Sequence, residues 1–269
     1  MRAFFPSLLP AMPEMLRFID TTSWALLLAL LCCLGLATLV GRFSWGRAAP
    51  AADDLNIVLG AMLSLFGLLM GFTLSFAISG YNNRMSAEEN EAIAIGNAFQ
   101  WTAALDAGQQ QAHAMLHDYL GLRIRFFETV DEDRRAEVRM ESIRLQTRMW
   151  HLISKEAKDG GGAQLGPALG AVNALYAAQQ KTMASWRRQV PGAAWTILIA
   201  LGLCSNFLIG YNARGRPGGR VLIFMVPAVT ALMLFMSAQI DVPGKGIIHV
   251  VPDNLQAVRI TVENGGLAP

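Results

Sequence analysis

Apolar residues in this chain gather into four uncharged runs, two on either side of a long mixed stretch. The runs cover residues 21–40, 55–79, 192–211 and 221–240. Each can cross a hydrocarbon core of about 30 Å, which takes ~20 residues at a helical rise of about 1.5 Å. The pattern predicts four transmembrane helices in two hairpins. No charge falls between Asp54 and Arg84, so the second span is free to tilt or to continue as a helix past the bilayer. The run that starts at Trp24 exceeds a usual signal core and lies behind a tail with Pro6, Pro10 and Pro13, which reads as an uncleaved first span.

Residues 80–191 alternate apolar and charged positions at helical spacing. No proline occurs from Ala51 through Gly166, so long helices are expected there. The first continues from the second span through Arg84, Glu88, Glu89 and Glu91 and ends near Asp106-Ala107-Gly108, where Gly108 suits a left-handed cap. A second covers 109–129. Asp131-Glu132-Asp133 opens a third, placing acids where the helix dipole favours them, and Val138, Leu145, Met149 and Leu152 give it one apolar stripe. Gly160-Gly161-Gly162 interrupts the pattern. A fourth helix from about Pro167, with Leu169, Val172, Tyr176, Met183, Trp186 and Val190 at heptad-like spacing, is expected to run on into the third span.

Composition supports this division. Over the whole chain 53% of residues are apolar and 16% charged, against roughly 25% charged in soluble proteins. Residues 80–191 hold thirteen Lys plus Arg and thirteen Asp plus Glu, a density near the soluble norm with no net charge. The fold class is therefore all-α and polytopic: an N-terminal tail and hairpin over 1–79, a soluble helical bundle over 80–191, a second hairpin over 192–240 and a C-terminal tail over 241–269. A net charge of +2 leaves no footprint for nucleic acid. Cys32, Cys33 and Cys204 lie inside spans, as small apolar residues do. Basic residues set the orientation. Arg2, Arg17, Arg84, Lys181, Arg187, Arg188, Lys245 and Arg259 share one side, and Arg42, Arg47, Arg214, Arg216 and Arg220 the other. The count favours cytoplasmic termini and a cytoplasmic central domain, while charge density in the shorter loops points the other way.

Candidate chemistry is sparse. His113 and His117 stand one helical turn apart beside Asp118, as metal ligands can, but no third ligand accompanies them, and a solvated helix face is the expectation. Glu88, Glu89 and Glu91 could hold a cation or work as acids and bases. A charge run just outside a bilayer more often faces water or pairs with a neighbouring helix. No phosphate loop, nucleophile elbow or Cys-His pair is present, so no enzyme, metal or cofactor is expected. No span carries Asp, Glu, Lys, Arg or His, which disfavours a proton relay.

Two stripes distinguish the second span. Gly60, Ser64, Gly67, Gly71 and Ser75 recur at intervals of 4, 3, 4 and 4, a pattern that lets helices approach closely. Leu68, Phe72 and Phe76 form a bulky row beside it. Either the glycines pack on another span and the phenylalanines face lipid, or several copies of the helix surround a path that an apolar ring gates by dewetting.

The segment Leu68-Leu69-Met70-Gly71-Phe72-Thr73-Leu74-Ser75-Phe76, then Arg84, Glu89 and Glu91-Ala92-Ile93-Ala94-Ile95-Gly96, and Gln239-Ile240-Asp241-Val242-Pro243-Gly244-Lys245-Gly246-Ile247 after the fourth span resemble the bestrophin-like family. That group of bacterial membrane proteins is of unknown function and distantly similar to bestrophin anion channels. The resemblance runs from the first span to the C-terminal tail. It implies a homo-oligomer, a pentamer by analogy, in a cell membrane, the inner one in a bacterium. It also implies Ser64, Leu68 and Phe72, with Phe76, around an apolar neck that passes inorganic ions, chloride among them. Gly60, Gly67 and Gly71 would pack helices. Bestrophins carry Asp-Arg-Trp-Trp beyond the pore helix, where this chain has Ser79-Gly80-Tyr81-Asn82-Asn83-Arg84, and the acids that follow the last span, Asp241, Asp253 and Glu263, stand far apart in the sequence. Calcium gating has no basis in that composition. The expected function is an anion channel. Its alternative is a non-conducting membrane scaffold or signalling protein that couples the soluble helices to the spans.

Overall fold

The computed structural model describes residues 23–44, 52–103, 105, 108–158, 165–213, 219–244 and 248–264. Among the described residues there is no strand. The helices are α1 (Ser23–Phe43), α2 (Ala52–Ala103), α3 (Gln109–Glu128), α4 (Glu132–Lys158), α5 (Leu165–Arg187), α6 (Gly192–Asn212), α7 (Gly219–Asp241) and α8 (Asp253–Glu263). Four stretches are long and apolar enough to cross a membrane, in α1, α2, α6 and α7, as expected of a multi-pass membrane protein. The chain divides into two compact units, one of residues 1–79 and 189–248, the other of 80–188 and 249–269.

In the first unit α1 packs on α6 and α7. Leu34, Phe66, Met70, Trp195, Leu198, Ala231 and Leu234 form its core, while Trp24, Leu28, Phe224 and Met225 stay exposed, as side chains facing lipid do. Glycine sets the approach of α1 to α6: a Cβ on Gly41 would overlap the carbonyl of Phe207, and one on Gly210 the carbonyl of Thr38. At one end of the unit Asn212 Nδ2 donates to Asn56 Oδ1 at 2.9 Å. The carboxylate of Asp241, at the end of α7, accepts the Val190 backbone N–H at 2.9 Å and the Trp195 indole N–H at 3.5 Å.

That bond to Val190 belongs to a break in the chain. A helix running from 167 into the third span was expected, yet α5 stops at Arg187 and α6 starts at Gly192. Pro191 is the reason. It has no N–H to give and disfavours helical geometry at the residue before it. Among the described residues only α2 passes without interruption from its span into the sequence of the second unit.

The second unit is a helical bundle closed by a large core that includes Ile95, Phe99, Leu116, Leu120, Phe126, Phe127, Met149 and Leu175. Gly108 is left-handed (φ 73°), but it stands at the N-terminus of α3, whereas α2 already ends at Ala103. Asp106, Ala107 and Gly160 to Gly162 lie outside the described residues. Asp131 Oδ1 accepts the Asp133 N–H at 2.9 Å and opens α4 as its acidic start predicts. The inward rows of α4 and α5 differ from the apolar stripes. On α4 the deepest positions are Arg135, Ser142, Gln146, Met149 and Ile153, with Val138, Leu145 and Leu152 only half-buried. On α5 they include Ala168, Leu175, Gln179 and Thr182, and Tyr176 is exposed. Several of these positions are polar, and Ser142, Gln146 and Thr182 are hydrogen-bonded there. Part of the segment read as a C-terminal tail is built into this unit, where α8 packs on α3 and buries Leu255.

Candidate pore face and the buried carboxylates

Around the membrane portion of α2, at about 100° per residue, side chains sort into three rows. Phe66, Met70, Thr73 and Ala77 are buried against the first unit's own core, with the Phe66 ring next to Gly202. The row Gly60, Ser64, Gly67, Gly71 and Ser75 points about 130° away from it, and Leu68, Phe72 and Phe76 point about 130° away on the other side. Both of those rows are exposed. Leu68 is 57% accessible, Phe72 66% and Phe76 51%. Among the described residues, no side chain or backbone of another turn comes within 4 Å of where a Cβ on Gly60, Gly67 or Gly71 would sit. Within the protomer, close packing falls instead to Gly41 and Gly210. For Gly41 the signal was present as Ala37-x-x-x-Gly41.

The three glutamates after the second span separate. Glu89 faces water. Glu91 is fully buried with Arg123, and their pairing is bidentate: Arg123 Nε donates to Glu91 Oε1, and Arg123 Nη2 donates to Oε2 at 3.1 Å. Tyr119 O–H donates to Oε1 at 3.2 Å, Thr182 O–H to Oε2 at 2.7 Å, and Gln146 Nε2 donates to the Tyr119 oxygen at 3.1 Å. One carboxylate thus ties α2 to α3 and α5, and through Gln146 to α4. Burial, then the Glu91 charge, push the Tyr119 phenol well above its ordinary range, so it stays protonated. Burial works against the Arg123 charge, but Glu91 outweighs it and keeps the guanidinium firmly protonated. The Arg123 guanidinium also lies 4.4 Å from the Phe126 ring centre.

Glu88 is buried too. Its Oε1 accepts the Leu255 N–H at 2.9 Å and its Oε2 the Asn254 amide at 2.7 Å, so it holds the start of α8. Burial raises its pKa above 4.5, partly offset by those hydrogen bonds.

His113 and His117 do not converge. His113 lies 3.2 Å from the Phe99 carbonyl and edge-on to the Phe99 ring, whereas His117 lies 3.7 Å from Glu263 at the surface. Among the described residues no group of three or more His, Cys, Asp or Glu side chains is placed to hold a metal.

A sequence model of the Bestrophin-like domain matches residues 27–255, which is most of the chain. The chain belongs to the bestrophin-like family. A solved crystal structure described as that of a membrane protein is similar in fold, with a TM-score of 0.59 and 15% identity over 90% of this bestrophin-like chain and 97% of the other. At that identity the fold is what the two share. A comparison with curated proteins gives no match.

Proposed function

We propose that this bestrophin-like protein is a homo-oligomeric ion channel in a cell membrane, with α2 innermost and Leu68, Phe72 and Phe76 around an apolar neck. The observation that carries the reading is the sorting of α2 into one row used by its own protomer and two rows that none of the described residues covers. A ring of subunits gives both rows a place, one against the next subunit and one toward the lumen. The ion is an anion, chloride among those accepted, because an uncharged neck lined by phenylalanine presents the positive edges of aromatic rings. A pentamer with termini and central bundle in the cytoplasm fits the family resemblance. A straight-helix relay between spans and bundle, as a non-conducting scaffold would use, is served by α2 but not by α5 and α6, which Pro191 separates.

Mass photometry of detergent-purified protein and recordings from reconstituted bilayers test the proposal together. The expected result is a closed oligomer that conducts, with Leu68→Ala and Phe72→Ala raising the flux by widening the dewetted ring. A monomer, or a flux that neither substitution alters, would refute it.

A further inference from the structure

α2 keeps one buried face along its length. At about 100° per residue, Arg84, Glu91, Ile95 and Ala98 fall in the sector already taken by Phe66, Met70, Thr73 and Ala77, and all of them are buried. The outward sectors therefore hold their phase as well. Asn83, Ser86, Asn90 and Asn97 lie within the sector of about 80° that Leu68, Phe72 and Phe76 span, and each is exposed. Chemically this row is unlike the outward face of α4 in the same unit. Arg134, Glu137, Glu141, Arg144, Arg148 and Lys155 all face outward on α4, whereas Glu89 is the single charged residue among the exposed positions from 79 to 101 of α2. Glu89 stands about five full turns beyond Gly71, so it continues the glycine row and leaves the phenylalanine side uncharged.

Resting on the channel reading above, we infer that Asn83, Ser86, Asn90 and Asn97 line the ion path beyond the apolar neck and give the passing anion neutral N–H and O–H donors. Every copy in the ring contributes its own row, so the lining is complete only in the oligomer. The row is about 21 Å long. An amide or a hydroxyl can replace part of an anion's water without holding it as a guanidinium would, and a group on a conduction path has to release its ion as readily as it takes it. A carboxylate at these positions would repel the anion. The Asn90 amide nitrogen also donates to the Ser86 carbonyl. That bond tethers the side chain to its own helix and leaves it a second N–H to give.

The test measures chloride flux through the reconstituted full chain, with Cys32, Cys33 and Cys204 replaced by Ala. Asn83→Cys, Asn90→Cys and Asn97→Cys are each recorded before and after a membrane-impermeant, negatively charged thiosulfonate reagent is added to both faces, so each protein serves as its own control. A sulfonate on every copy builds a ring of negative charge, and chloride flux is expected to fall about tenfold. A positively charged reagent of the same size should raise the flux, and Thr147→Cys, outward on α4, should respond to neither. Asn90→Asp, read without any reagent, should move the reversal potential toward cations. Wild-type flux with modified but unaffected row variants would overturn the inference and leave the channel standing. Equal loss with either reagent marks plugging rather than contact with the anion, and overturns it too. No flux through the wild type would remove both the row and the channel.

Discussion

Removing the Arg123 side chain breaks a fully buried ion pair inside the second unit. Arg123→Met keeps most of the aliphatic volume and deletes the guanidinium, so Glu91 retains only the Thr182 and Tyr119 hydroxyls. Both members of the pair are fully buried, and breaking such a pair from one side costs about 3–5 kcal/mol because an uncompensated charge stays inside. The cation over Phe126 goes with it. For a unit of this size each kcal/mol moves the midpoint by about 2–4 °C, so the expected fall is roughly 6–20 °C. Thermal unfolding in detergent followed by circular dichroism measures it. The diagnostic comparison is the double substitution Glu91→Leu with Arg123→Met. It removes both charges and should recover most of the loss, since an apolar pair in the same space is close to neutral in stability. If Arg123→Met lies within about 1 kcal/mol of wild type, or if the double variant falls as far as the sum of the singles, the buried pair is not what locks these helices.

Gly41→Ala and Gly210→Ala should each destabilise the membrane unit by about 1–3 kcal/mol or more, because the added methyl meets backbone carbonyls that have nowhere to go; thermal unfolding shows it directly. Gly67→Ala and Gly71→Ala should leave the protomer folded, since no neighbour meets their Cβ, and should change only the oligomer seen by mass photometry. Glu88 gives a pH dependence of definite sign. Its folded pKa is raised above 4.5, so the folded state binds more protons there than the unfolded state does. Its contribution is complete below pH 4.5 and is lost as pH rises through the raised value. Unfolding midpoints should therefore fall across that window, and the Glu88→Gln protein should lack this component of the slope.

Much of the architecture was legible because membranes impose a blunt rule: twenty uncharged residues in a row have few other uses. The start of α4 was equally legible, since Asp131 is a good cap and the acids after it suit the dipole. What escaped was the polar interior of the bundle. Apolar periodicity assigns Gln146 and Thr182 to the surface, and only their partners across the bundle reveal why they lie inside. No local feature of Glu91 names Arg123, which is 32 residues away on another helix. Pro191 was visible and carried the right information: a proline after a heptad-like run ends the helix, and Val190 then serves Asp241 and the membrane core.

The second span shows how structure sharpens a pattern that sequence leaves open. From spacing alone, the glycine row and the phenylalanine row are equally suited to packing or to lining a path. The third row, Phe66, Met70, Thr73 and Ala77, carries the weight, because among the described residues it is the face that the membrane portion of α2 buries in its own protomer. The two remaining rows differ in bulk, and bulk assigns them within the proposed ring. Neighbouring α2 helices can approach closely only through small side chains, so Gly60, Ser64, Gly67, Gly71 and Ser75 suit the contact between subunits. Phenylalanines at 66% and 51% exposure would hold such helices apart if placed there. They suit the lumen, where their spacing of one helical turn builds stacked apolar rings about 6 Å apart along the axis.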